Sequence, residues 1–427
     1  MHISRCKKNF HLVSGRMEKE DTMTTSGTHS PELPKPSRQL QKALVYYAAF
    51  LVLGIAVSAL GPTLQSLADQ TNSSLSQISI IFAGNSLGYV IGSLLGGWLY
   101  DRQRGHPVLA VTLSVLSILL FTLPLAASLW LLVAILMVIG FGMGIIDVGG
   151  NTLIVWLFGR AVGPYMNALH LAFGVGALLS PMLVDRVVVA TGGIRWFYWS
   201  VAILVVPVLL WFTRLPSPPP PASTGEHSAE TAPRSHPWLI LMIAGLFFMH
   251  VGTELGFGGW VFSYAVAMKV GPETLARVLN STYWGGLTLG RVVSIPIAIK
   301  VRPKTMLLLD ILGALVSIGL LLLIPVWPPV IWIATFGLGF SLASMFPSTI
   351  NFAERRIPIT GKVTGYFLVG ANAGSMTVPW LIGQWFESAG PQSMLLILGS
   401  AMSLALLLLV GLLRYSKHLT PESEKGR

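Results

Sequence analysis

The sequence predicts an all-α membrane protein, with twelve transmembrane helices in two pseudo-symmetric six-helix halves. Three observations carry this prediction. Only 11% of the 427 residues are charged and 53% are hydrophobic, whereas soluble proteins carry about 25% charged residues. Apolar stretches that meet the roughly 20 residues needed to cross a bilayer recur twelve times. The second six of these repeat features of the first at a nearly constant spacing.

The first half holds spans at 43–62, 77–100, 107–127, 129–157, 163–184 and 195–213. The second holds spans at 238–264, 274–298, 305–325, 328–350, 361–386 and 392–414. Breaks are expected where Pro, Gly or charge interrupts the apolar runs: Gly61-Pro62, Asp101 to Pro107, Gly159 to Pro164, Arg302-Pro303, Pro328-Pro329 and Gly390-Pro391. Residues 1–42 are polar, basic and proline-containing, and read as a disordered cytoplasmic tail without the apolar core of a secretory signal. The stretch 215–237, with its run Pro218 to Pro221, reads as a cytoplasmic linker between the halves 43–214 and 238–414. Residues 415–427 form a short cytoplasmic tail.

The repeat is visible in glycine and proline. At a spacing of 198 residues, Gly54 falls on Gly252, Gly61 on Gly259, Gly92 on Gly290, Gly176 on Gly374 and Pro181 on Pro379. At 195, Phe141-Gly-Met-Gly144 falls on Phe336-Gly-Leu-Gly339. Two such halves of the same topology put a solute site at their interface near the membrane midplane.

The net charge of +11 raises the question of nucleic acid, and the distribution of charge answers it. Of the 28 Lys and Arg, 24 fall on one predicted side, Arg291 being counted there at the end of the eighth span. The other side holds Arg186, Arg195, Lys269 and Arg277. This asymmetry is the positive-inside signature of membrane insertion with both termini cytoplasmic, and no nucleic-acid partner is expected. The lone Cys6 excludes an internal disulfide and a cysteine-built zinc site. No GxxxxGK[ST] or HExxH sequence occurs, and the GxSxG spacing at Gly84-Asn-Ser86-Leu-Gly88 falls inside an apolar span and not at a strand-to-helix turn, so nothing points to an enzyme, a metal centre or ATP-driven pumping.

Charge inside a span is costly and marks function by default. Asp147 in span four and Glu254 in span seven stand out as cation-coupling candidates. Asn151 follows Asp147 at i+4 and His250 precedes Glu254 by four, so each pair shares a helix face. Asn167 and His170 share a face in span five. A desolvated carboxylate can exchange a proton near neutral pH, and an ionised one beside other oxygens can hold Na⁺. Either H⁺ or Na⁺ would serve as the coupling ion, and no other cofactor is expected. Trp260 and Trp284 could stack on a sugar ring. Asn85, Asn151, Asn167, Asn372 and Gln384 offer neutral hydrogen bonds to hydroxyls. Asp310 and Arg291 lie nearer span ends and are expected to face headgroups or a loop.

The run Gly97-Trp-Leu-Tyr-Asp101-Arg102-Gln-Arg104-Gly105 resembles the loop between the second and third spans of the major facilitator superfamily. The resemblance implies that Asp101 and Arg102, with Gly97 and Arg104, make cytoplasmic contacts that hold the outward-facing state. Gly144-Ile-Ile-Asp147-Val-Gly-Gly-Asn151 resembles the fourth span of fucose–proton symporters. Asn167-Ala-Leu-His170 and Glu254-Leu-Gly-Phe-Gly-Gly-Trp260 look closer to the sodium-dependent glucose transporters of that group. By this resemblance Asp147 is the coupling acid, and Asn151, Asn167, His170 and Glu254 line the central cavity. Ser58 stands where fucose symporters carry a second acid. The combined expectation is a monomeric, plasma-membrane symporter of a small polar solute, a sugar or polyol, working by alternating access. An exporter of drugs or metabolites and a non-transporting membrane sensor remain compatible with the sequence.

Overall fold

The structure, a computed structural model, describes residues 38–219, 237–325, 327–357 and 361–416. Most of the expected N-terminal tail, linker and C-terminal tail therefore lies outside the described residues. Within them the secondary structure is helical, without a strand. The first half comprises α1 (Arg38–Gln70), α2 (Leu75–Ile78), α3 (Ile80–Arg102), α4 (Gly105–Thr122), α5 (Leu129–Phe158), α6 (Val162–Thr191) and α7 (Arg195–Arg214). The second comprises α8 (Pro237–Ala267), α9 (Glu273–Lys300), α10 (Pro303–Leu323), α11 (Pro328–Leu342), α12 (Met345–Glu354), α13 (Gly361–Phe386) and α14 (Gln392–Ser416). Since α2 continues into α3 and α11 into α12, these make the twelve expected crossings. Ten are apolar and long enough to span a membrane by composition alone. The exceptions are α13 and α9, and α9 carries Glu273, Arg277, Arg291 and Lys300.

Most breaks fall where the local chemistry requires them. Gly159, Gly192 and Gly390 take positive φ at helix ends, a conformation that costs glycine nothing. Pro303 and Pro328 open α10 and α11, where a missing N–H is harmless. The hydroxyl of Ser74 accepts from the Gln77 N–H and the Gln77 side chain from the Ser74 N–H, a capping box that starts α2.

One expected break does not form. Helix α1 runs through Gly61-Pro62 to Gln70, eight residues past the expected end of the first span. The glycine serves packing instead: a Cβ there would crowd the Gly258 carbonyl of the other half. Conversely, the tenth span, read as continuous, is interrupted at Ala343-Ser344.

The duplication seen in the sequence reappears as matched helix contacts. Gly54 and Gly176 let α1 and α6 meet backbone to backbone, through the carbonyls of Phe173 and Leu51. Gly374 does the same for α13 against α8, through the Phe248 carbonyl. Gly88 and Gly92 seat α3 on the Met137 and Phe141 carbonyls of α5, and Gly286 and Gly290 seat α9 on Phe336 and Phe340 of α11. Small residues at such seams are what permit close approach of helices in lipid. Large apolar side chains such as Leu94, Ile118, Trp130 and Leu323 are exposed on the outer surface, as lipid-facing positions require.

Candidate functional site

Asp147 projects from the middle of α5 and is half-buried. Both of its carboxylate oxygens are engaged. The Tyr89 hydroxyl on α3 donates to Oδ2 at 2.6 Å, and the Asn151 amide donates to Oδ1 at 3.1 Å and to the Asp147 carbonyl at 2.9 Å. The i+4 spacing of Asp147 and Asn151 on one helix face produces this contact directly. Tyr89 comes close because Gly144, one turn away on α5, lets α5 approach the Tyr89 backbone. Tyr89 carries no charge and lies in a different span, so nothing in the sequence marked it.

Glu254 sits in α8 with its side chain 13% exposed. Its Oε2 lies 3.4 Å from Nε2 of the buried His250, and its Oε1 accepts from the guanidinium of Arg291 at 3.3 Å. Its backbone carbonyl accepts from the Tyr283 hydroxyl at 2.8 Å. Arg291 therefore does not face headgroups, contrary to the expectation. Helix α9 continues to Lys300, and at 1.5 Å per residue Arg291 lies about 13 Å from its end. The guanidinium also sits over the ring of Phe173, at 5.8 Å, on α6 of the first half. It lies within electrostatic reach of both His250 and His170.

Asn167 and His170 are exposed on α6, and His170 meets the ring of Phe50 edge-on at 5.9 Å. Asn372 is half-buried and turns its amide back onto the Leu368 carbonyl at 2.8 Å. The two tryptophans behave differently from the expectation. Trp260 is wholly buried, bonds the Pro379 carbonyl at 2.9 Å and packs against Phe82 and Phe386. Trp284 is also buried, beside Tyr283. Neither presents a ring face to a solute in this conformation. Asn85 is occupied by the Leu136 carbonyl. Asp310, expected at a headgroup or loop, is half-buried and accepts from the Ser344 hydroxyl at 2.6 Å, where α11 gives way to α12.

The described contacts between the halves gather toward the end bearing loops 71–74, 192–194, 268–272 and 387–391. Arg277 reaches Asp185 across the halves at 3.2 Å, with both side chains buried. Gln384 exchanges hydrogen bonds with Ser76 and donates to Ser79. Glu387 accepts from the Leu75 and Ser76 N–H groups that open α2. At the opposite end, Asp101, Arg102 and Arg104 are exposed. Arg102 stacks on Trp98 of its own helix at 4.5 Å, and a Cβ on Gly97 would meet no neighbouring atom. Among the described residues there is no group of His, Cys, Asp and Glu arranged to hold a metal ion.

The sequence profile of the Major Facilitator Superfamily matches residues 46–367. Sodium-dependent glucose transporter 1A of Mus musculus is 33% identical over 399 residues, covering 84% of this chain and 94% of that protein. Sodium-dependent glucose transporter 1 of Homo sapiens is 32% identical over 371 residues, covering 79% and 72%. Among solved structures, the xylose transporter XylE of E. coli in a partially occluded inward-open conformation superposes with a TM-score of 0.71. It is 15% identical, with 88% of this chain and 99% of that one covered. The nucleoside transporter NupG gives 0.71 at 14% identity, covering 89% and 100%. These relatives are transporters rather than enzymes, and a helical frame of twelve crossings matched by that profile over most of its length makes this chain a multi-pass membrane transporter of the Major Facilitator Superfamily.

Proposed function

We propose that the protein is a secondary active transporter that takes up a sugar or related polyol by alternating access, driven by H⁺ or Na⁺ loading at Asp147. The observation carrying this reading is the Asp147 carboxylate. It lies at mid-span in a largely apolar helix, held by Tyr89 and Asn151, in a chain similar over most of its length to sodium-dependent glucose transporters. Asn151, Asn167 and His170 supply polar groups for hydroxyls from the first half. In this reading the protein acts as a monomer in the plasma membrane, with both termini cytoplasmic. The uneven distribution of Lys and Arg supports that orientation. The face on which the halves meet is then the outer one, and the conformation described is inward-facing.

Coupling requires only that the cation and the solute bind the two conformations with different affinities. The experiment is uptake of radiolabelled D-glucose into proteoliposomes under an imposed Na⁺ or pH gradient. The wild type is expected to accumulate the sugar under one of these gradients. Asp147→Asn is expected to abolish accumulation while gradient-free exchange of labelled for unlabelled sugar persists. Gradient-driven accumulation by Asp147→Asn at the wild-type rate would remove Asp147 from the mechanism.

A further inference from the structure

The two mid-span acids, alike in sequence, have opposite electrostatic surroundings. Asp147 is held by two neutral donors, a hydroxyl and an amide, and among the described residues no cationic side chain pairs with it. Its charge is left for something mobile to balance. Glu254 already has the Arg291 guanidinium on one oxygen and the His250 imidazole beside the other.

We infer that Arg291 is the built-in counter-ion of Glu254, so that the second half loads no coupling cation and the transporter carries one cation per solute. This rests on the proposed cation-coupled uptake. The charge balance is simple: the Glu254–Arg291 pair is neutral in every state and Asp147 contributes −1 when empty. One H⁺ or Na⁺ brings the loaded carrier to neutrality, the form that crosses a low-dielectric barrier most readily. A second cation at Glu254 would have to displace a guanidinium tethered to the same half. A buried ion also becomes costly once its partner is removed. Arg291 is a positioning residue here. Because its guanidinium also rests against Phe173 of the first half, the pair sits at the boundary of the two halves without consuming a transported ion.

The test measures charge moved per D-glucose in proteoliposomes from the reversal potential, which counts charge whether the ion is H⁺ or Na⁺. The wild type is expected to move one charge per sugar, and Glu254→Gln, at whatever reduced rate, also one. Arg291→Gln is expected to lower uptake at least tenfold, and the neutral pair Glu254→Gln/Arg291→Gln to recover most of that loss with a ratio of one. A wild-type ratio of two that falls to one in Glu254→Gln would overturn the inference. So would a folded double variant that stays as inactive as Arg291→Gln. If Arg291→Gln does not fold, the ratios of the wild type and Glu254→Gln decide alone. Wild-type protein without any cation-driven uptake would instead sink the transport reading on which this rests.

Discussion

Asp147 illustrates how a single residue is prepared by its neighbours. The Tyr89 hydroxyl and the Asn151 amide fix its two oxygens in separate directions, so the carboxylate cannot rotate to meet whatever it binds. A hydrogen bond to a charged group contributes about 1.5–3 kcal/mol. Tyr89→Phe is therefore expected to stay folded and to slow cation-driven uptake about tenfold or more, read as the initial rate at fixed gradient. The mid-span placement of Asp147, Asn151 and Glu254 was legible in the sequence, because a polar group in a largely apolar span announces itself. Arg291 was misplaced for a geometric reason. Depth in a membrane is measured from the helix end, and α9 extends to Lys300 beyond its apolar run. Trp260 shows the reverse difficulty, since nothing in a sequence separates a tryptophan that faces a solute from one whose indole N–H is spent on a backbone carbonyl.

The helices were read well where their ends carry backbone chemistry. Gly159, Gly390, Pro303 and Pro328 each stop or start an element, as their conformational limits dictate. Gly61-Pro62 looks the same on paper and ends nothing, because the requirement there is set by the other half of the molecule. A glycine's role thus has to be judged from its neighbour. Gly88 lies directly on the Met137 carbonyl and Gly97 on open space. Overpacking typically costs 1–3 kcal/mol and more against backbone. Gly88→Val is accordingly expected to lose at least about 3 kcal/mol and to run as aggregate on size-exclusion chromatography. Gly97→Ala is expected to elute as wild type. The Asp310–Ser344 contact belongs to this scale too: it ties α10 to the joint between α11 and α12, which falls where Pro347 has no N–H to offer the Ala343 carbonyl.

At the scale of the whole molecule, the positions that repeat in the sequence, such as Gly54 with Gly252 and Gly92 with Gly290, lie at the helix seams within each half. Contacts between halves were not legible, since they join residues such as Ser76 and Gln384 that share no pattern. The strongest of them is the buried bridge of Arg277 to Asp185. Removing one partner of a buried pair costs about 3–5 kcal/mol, and under the proposed alternating access the lost energy belongs only to the conformation that closes this end. Arg277→Gln is expected to shift the molecule toward the alternative conformation. The measurement is disulfide cross-linking between Ser76→Cys and Gln384→Cys, which should fall at least tenfold when Arg277→Gln is added. Undiminished cross-linking would show that other contacts between the halves, such as Glu387 with the N–H groups that open α2, hold this end without the ion pair.

The glycine seams carry one more consequence. Inside each half the helices touch through backbone carbonyls, with little side chain between them, and a contact of that kind is stiff. Between the halves one backbone contact of this kind, Gly61 on the Gly258 carbonyl, stands beside long side chains and one ion pair, which bend and exchange partners. In elastic terms the molecule is two hard plates joined by a softer layer that is pinned at Gly61. Strain applied anywhere in the frame, by a binding event or by lateral pressure from the bilayer, then collects at the layer between the plates, where Arg291 meets Phe173.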